Sequence, residues 1–297
     1  MMHVAEHFLS RIRRDEPMSR HTSWHAGGAA EIYFTPQDRA DLRAFLGTVP
    51  DGIPIHFVGL GSNLLVRDGG LRGVVVATQE ALVRLERLDD TTVYGEAGVP
   101  CARIARQCIQ WQLGGAEFFA GIPGTLGGAL AMNAGAFGAE TWNCVVSVET
   151  LDRHGHEHTR VPGEYSVSYR HVGANRPEEW FAAARMTFNP APGIDDSAVR
   201  DLLARRRQSQ PIGEWSCGSV FKNPPGDHAA RLIESAGLKG LRVGDASVSL
   251  KHANFIINHG AATAADLEQL VRQVQSQVQA AHGIALQPEV RIVGEAR

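Results

Sequence analysis

The chain has 297 residues, 43% of them hydrophobic and 21% charged, with a formal net charge of −3. That length suits two domains with well-buried cores, and the charge gives no sign of the basic excess of a nucleic-acid-binding protein. No stretch reads as a membrane span, because the most apolar one, residues 126–137, is short and rich in Gly and Ala.

At the start, His3, Glu6, His7, Arg11, Arg13 and Arg14 alternate with Val4, Phe8, Leu9 and Ile12. This predicts a short amphipathic helix without the uninterrupted apolar core of a signal peptide. Strands follow at 53–58, 73–77 and 92–98, and residues 101–111 have helical spacing. Residues 145–151, 157–161 and 180–188 read as sheet, with Arg153, His154 and Gly155 as a turn. Asn189-Pro190-Ala191-Pro192-Gly193 reads as a linker. Beyond it the pattern turns helical. Val199, Leu202 and Leu203 begin a helix that runs into Arg205, Arg206 and Arg207, a solvated helix end. Residues 229–236 form a second helix. In the last one, Thr263 and Asp266 resemble a capping box, Leu267, Leu270, Val271, Val274 and Val278 share a face, and Gly283 caps the end. A strand at 289–293 closes the pattern. Two domains result, 1–192 and 193–297, in an α+β chain.

Cys101, Cys108, Cys144 and Cys217 are scattered without CxxC spacing, which reads as free thiols in a reducing cytoplasm. His154, His156 and His158 flank a turn glycine without a fourth ligand, so no metal site is expected.

Glycine is concentrated in two segments. One is Gly59-Leu60-Gly61-Ser62-Asn63-Leu64-Leu65. The other is Gly121-Ile122-Pro123-Gly124-Thr125-Leu126-Gly127-Gly128, continuing to Asn133-Ala134-Gly135. Glycine admits positive φ and lets N–H groups approach a ligand, and successive N–H groups make anion-binding concavities. A phosphate-bearing cofactor follows as the guest. The first segment lacks the third glycine and the helix of a Rossmann site. No GK[ST] sequence occurs, so there is no Walker A loop.

These segments resemble the UDP-N-acetylenolpyruvoylglucosamine reductases, the MurB family. The likeness covers nearly the whole chain. It includes Thr22-Ser23-Trp24 leading to Gly27-Gly28, Ser168-Tyr169-Arg170, Cys217-Gly218-Ser219-Val220-Phe221-Lys222-Asn223-Pro224, Lys251-His252-Ala253-Asn254-Phe255 and Pro288-Glu289-Val290-Arg291-Ile292. The resemblance implies a split FAD-binding domain of the vanillyl-alcohol-oxidase (PCMH) type over 1–192, in two subdomains. A smaller α+β substrate-binding domain spans 193–297. It further implies FAD held without a covalent bond, since Ser62-Asn63-Leu64 carries no histidine, and NADPH as co-substrate. The cofactor contacts it implies are Gly59, Gly61, Ser62, Asn63, Leu64, Gly121, Ile122, Pro123, Gly124, Thr125, Gly127, Gly128, Asn133 and Gly135.

The reaction implied is cytoplasmic reduction of the enolpyruvyl ether of a UDP-sugar in peptidoglycan synthesis, with no nucleic-acid or membrane partner. The alternative is another FAD-dependent oxidoreductase of the same fold. Hydride addition to the alkene leaves carbanion character that delocalises into the carboxylate, which calls for a cation and acids nearby. Arg170 would hold the carboxylate, Ser219 would give the proton, and Glu289 would stand protonated beside the developing aci-carboxylate. Tyr169, Arg207, Lys222, Asn223 and His252 are the expected substrate contacts, with Tyr165 and Asn254 as further candidates. The chain looks like the shorter family variety. It departs from the pattern at Ala29, where proline is common, and at Ser209, where a diphosphate-gripping lysine is common. Arg207 or Lys222 would take over that grip.

Overall fold

The computed structural model describes residues 5–174 and 176–297. It divides into two compact units, each discontinuous in sequence. Unit 1 comprises Met1–Arg14, Ile32–Leu60 and Gly73–Ala204, and unit 2 comprises Asp15–Glu31, Gly61–Arg72 and Arg205–Arg297.

In unit 1 the expected N-terminal helix is a single 3-10 segment, Glu6–Arg11, which gives way to the strand Ile12–Pro17. Phe8 is its one buried side chain, so too little apolar surface is covered to propagate an α-helix. His3 and Val4 lie outside the described residues. Helix α1 (Arg39–Leu46) begins where the Asp38 carboxylate accepts the Asp41 N–H at 2.8 Å, a cap that satisfies an orphan donor. Its Leu42, Phe45 and Leu46 are buried in a core with Phe8, Phe34, Val74 and Val76. In that core Ile55–Val58 runs parallel to Val74–Ala77.

A second core lies on a five-stranded antiparallel sheet. Its order is Glu157–Arg160, Val145–Asp152, Glu179–Thr187, Thr92–Glu96, Leu85–Arg87. Helix α2 (Cys101–Gln110) buries Cys101, Ile104, Ala105 and Cys108 against it, at the three- and four-residue spacing of one helical face. Helix α3 (Leu126–Met132) starts inside the second glycine segment and buries Leu126, Ala129 and Leu130. It ends on Asn133 in a left-handed conformation, φ 50°. Gly and Ala give this stretch no amphipathic pattern, so periodicity predicts no helix here. A hairpin, Ser166–Ser168 with His171–Gly173, carries Tyr169 and Arg170 at its tip. Helix α4 (Ser197–Ser209) includes the three arginines expected at a helix end.

Unit 2 packs α5 (Ala229–Ser235) and α6 (Ala264–His282) on a three-stranded antiparallel sheet of Arg242–Val243, Ala246–Val248 and Ile256–Asn258. The expected capping box is present. The Thr263 hydroxyl accepts the Asp266 N–H, Asp266 accepts the Thr263 N–H, and Gly283 closes the helix at φ 69°. Leu267, Leu270, Val271, Val274 and Val278 are all buried with Trp24, Leu65, Phe221 and Val290. Each such side chain contributes about 1.5–3 kcal/mol by leaving water. One parallel pairing joins Arg291–Val293 to Leu64–Val66, so the strand after the first glycine loop belongs to the same unit as the C-terminus.

All four cysteines are buried free thiols. Burial lifts Cys108 and Cys144 to about 12. Among the described residues no helix is long and apolar enough to cross a membrane.

Candidate active site

The two glycine segments meet in unit 1. A Cβ at Gly59 would stand 2.3 Å from the Thr125 hydroxyl oxygen, so glycine is what lets the first loop lie against the second. A Cβ at Gly127 would stand 2.8 Å from that of Ala97, and Gly121 lies under Phe137 and Ala136. At Gly128, by contrast, the space a side chain would take is open apart from the Thr125 hydroxyl at 3.9 Å.

The first loop continues into unit 2. Gly61 has φ 59°, and a Cβ there would lie 1.9 Å from the His21 carbonyl oxygen. Ser23 N–H donates to the Gly61 carbonyl at 3.3 Å. The N–H groups of Leu60, Gly61 and Ser62 make no hydrogen bond among the described residues, and none of the three residues is buried. Consecutive donors around a left-handed glycine form a concavity suited to phosphate oxygens. The donor set therefore fits the diphosphate of FAD.

Arg170 stands in the left-handed region, φ 53°, at the hairpin tip. Its guanidinium donates to the carbonyls of Gly135 at 2.8 Å and Asn133 at 3.3 Å, with the Glu140 carboxylate 3.9 Å away and the Tyr169 ring beneath it. Asn133 is buried. Its amide donates to Glu140 at 2.7 Å and to the Ser168 carbonyl at 3.2 Å, and its oxygen accepts the Trp142 N–H. The end of the second glycine segment and the arginine hairpin are thereby tied into one piece. Tyr165 packs on Trp142 and Phe181, and burial first, then the Glu179 charge, lifts its hydroxyl to about 12.

In unit 2, Ser219 follows Gly218, whose φ of 79° turns the chain. Glu289 N–H donates to the Val220 carbonyl at 2.8 Å, and Lys222 N–H donates to Gln287 at 2.9 Å. Asn63 donates its amide to the Glu289 carbonyl at 3.0 Å and accepts the Arg291 N–H on its own carbonyl. Three segments distant in sequence, around Asn63, Ser219 and Glu289, thus share a backbone framework. Burial pushes the Cys217 thiol well above the usual range.

Asn223 is exposed, and its oxygen accepts the Ala229 N–H at the start of α5. Burial, then the Lys239 charge, lowers the pKa of His252. Lys251 Nζ donates to the Arg207 carbonyl at the end of α4. The Ser209 hydroxyl bonds back to the Arg205 carbonyl at 3.2 Å. Arg207 itself is exposed, and Lys222 is half-buried.

The histidine turn has a different organiser. Asp152 accepts His156 Nδ1 and His158 Nε2, each at 3.1 Å, and the N–H groups of His154 and His156. Among the described residues no group of three or more His, Cys, Asp or Glu could hold a metal ion.

The glycine cradle suits a phosphate-bearing cofactor, and with the family matches it marks an FAD-dependent oxidoreductase. The FAD binding domain family matches residues 30–159, and the UDP-N-acetylenolpyruvoylglucosamine reductase C-terminal domain family matches residues 210–293. The UDP-N-acetylenolpyruvoylglucosamine reductase of Alkalilimnicola ehrlichii is 58% identical, over 96% of each chain. That of Methylococcus capsulatus is 55% identical, over 95% of this chain and 93% of its own. The crystal structure of UDP-N-acetylenolpyruvylglucosamine reductase from Thermus caldophilus superposes with a TM-score of 0.78 at 32% identity, covering 95% of this chain and 97% of that one. The chain belongs to the UDP-N-acetylenolpyruvoylglucosamine reductase family. The expected fold class, α+β with a split FAD-binding domain, is the one found.

Proposed function

We propose that this chain reduces UDP-N-acetylglucosamine enolpyruvate to UDP-N-acetylmuramate in the cytoplasm, with NADPH as the electron source. FAD, when bound, would supply hydride for the enolpyruvyl double bond. The residues that hold it are Gly59, Gly61, Ser62, Asn63 and Leu64, the segment from Gly121 through Ile122, Pro123, Gly124 and Thr125 to Gly127 and Gly128, and Asn133 and Gly135. Asn133 acts there through its backbone, because its amide is engaged internally. We assign cofactor binding to residues 1–192 and substrate binding to residues 193–297.

Arg170 neutralises the substrate carboxylate, and its fixed guanidinium loses little freedom when it does so. As the new C–H bond forms, the alkene π pair becomes a carbanion. The Ser219 hydroxyl gives that carbon its proton and recovers one from water. A serine is a weak acid, but a carbanion is a far stronger base, so the transfer runs downhill. Glu289 stabilises the aci-carboxylate. Tyr169, Arg207, Lys222, Asn223 and His252 contact the UDP-sugar.

The observation that carries this reading is the 2.8 Å bond from Glu289 N–H to Val220. It sets the proposed acid and its carboxyl neighbour on paired backbone with Asn63 of the cofactor loop attached. The test is single-turnover reduction in deuterated water. The unaltered enzyme puts one solvent deuteron on the carbon bearing the ether oxygen. Ser219→Ala retains FAD and NADPH oxidation but loses alkene reduction. Flavin reoxidation by substrate at the unaltered rate in Ser219→Ala would overturn the role of Ser219.

A further inference from the structure

Asn254 is 4% exposed, in the turn between Ala246–Val248 and Ile256–Asn258. Its amide nitrogen donates to the Phe221 carbonyl at 2.8 Å, and its amide oxygen accepts the Phe221 N–H at 2.9 Å. Its own carbonyl accepts the Val220 N–H at 2.9 Å. One side-chain amide therefore stands in for a strand partner along one edge of the chain leaving Ser219. The other edge is held by backbone alone, through Gln287 and Glu289. Phe221 itself is buried, so an unmet peptide group there would have no water to turn to.

We infer that Asn254 is a positioning residue for proton delivery, fixing the place of the Ser219 hydroxyl through the Phe221 peptide. The inference rests on Ser219 as the proton donor. Both of its amide groups are committed to Phe221, so the part it plays runs through that peptide.

The test is Asn254→Asp in the FAD-loaded protein. An aspartate keeps the shape and the acceptor. Ionised, it cannot donate to the Phe221 carbonyl, and protonated it can. At neutral pH, flavin reoxidation by the enolpyruvyl substrate should fall about tenfold to a hundredfold, the scale of an ångström's misplacement. Flavin reduction by NADPH should stay unchanged per bound FAD. Lowering the pH should restore the variant relative to the unaltered enzyme. Hydrogen exchange should quicken over residues 218–223 but not over Ala264–His282. In a Ser219→Ala background the same substitution should add no further loss to reoxidation.

Equal slowing of both half-reactions, an additive loss with Ser219→Ala, or exchange quickened throughout unit 2 would overturn the inference. A fast Ser219→Ala enzyme would instead remove the donor assignment itself. Should Asn254→Asp not fold at neutral pH, Asn254→Ser, which keeps both a donor and an acceptor, is read in the same assays with the same deciding outcomes.

Discussion

Gly61→Ala asks whether the first glycine loop holds the flavin diphosphate. At φ 59° an alanine carries about 1–2 kcal/mol of steric cost from left-handed backbone alone. Its Cβ would stand 1.9 Å from the His21 carbonyl oxygen, where ordinary contact starts at 3.4 Å, so backbone must move by about 1.5 Å. His21 resists, because its N–H is bonded to Met18 at 2.9 Å and its ring lies 2.8 Å from Glu16. The loop yields instead, and the N–H groups of Leu60, Gly61 and Ser62 move with it. Hydrogen bonds to charged groups contribute about 1.5–3 kcal/mol each. Losing one or two raises the Kd for FAD by about a hundredfold. Titration of apoprotein by flavin fluorescence measures this, and acid precipitation checks that the unaltered protein releases its flavin. Gly52→Ala is the control. It has positive φ, 81°, but nothing within 4 Å of the new Cβ, so it costs about 1–2 kcal/mol of stability and leaves FAD affinity alone. A Gly61→Ala protein that binds FAD as tightly as the unaltered one would refute the reasoning.

Arg170→Ala and Glu289→Gln should slow flavin reoxidation by substrate by about 10²–10³-fold, as loss of an electrostatic stabiliser does, with NADPH reduction nearly unchanged. Stopped-flow absorbance separates the two steps, and equal slowing would count against the assignment. Asp152→Asn probes the histidine turn. Partial burial works against the Asp152 carboxylate, but bonds from the His158 and His156 rings and the His156 and His154 N–H groups outweigh it, holding it at about 2 against an ordinary 3.8. A depressed carboxyl stabilises the fold above its unfolded value and loses that contribution as pH falls. The Tm gap between the unaltered protein and Asp152→Asn should therefore be full above about pH 4 and close toward pH 2. A gap independent of pH would contradict a carboxylate held by these bonds.

Local signals carry the legible part of this molecule. Thr263, Asp266 and Gly283 announce the ends of α6, and the apolar spacing between them announces its buried face. The crowded glycines at Gly59, Gly61 and Gly127 are where backbone approaches backbone or side chain. The same kind of signal marks α1, with Asp38 as cap and Leu42, Phe45 and Leu46 as face, although the sequence reading gives it no element. Helix α3 had no such signal, since Leu126–Met132 is Gly and Ala between three larger side chains. What periodicity cannot carry is pairing. Nothing in Leu64–Val66 says that its partner is Arg291–Val293. That pairing draws residues 61–72 into the unit of the C-terminus, which a linker at 189–193 does not reveal.

The buried asparagines show why motif residues resist assignment from sequence. A polar residue inside a glycine-rich or family-like string reads as a ligand contact, because polar groups near a site have chemistry to offer. Yet a buried amide without partners is costly, so the fold tends to use both ends. Asn133 spends its amide on Glu140, Ser168 and Trp142. Asn258 spends its own on Trp24 and on the N–H groups of Gly260 and Ala262, while its backbone N–H meets Trp215. Asn254 spends both ends on Phe221. Each closes a gap between segments that strand pairing leaves open, and Asn133 and Asn254 are placed beside residues proposed to act on substrate. Precision at the site then depends on amides that do not touch substrate. Removing a donor from such an amide should show first as a misdirected proton or a loosened loop, and only afterwards as a lower Tm.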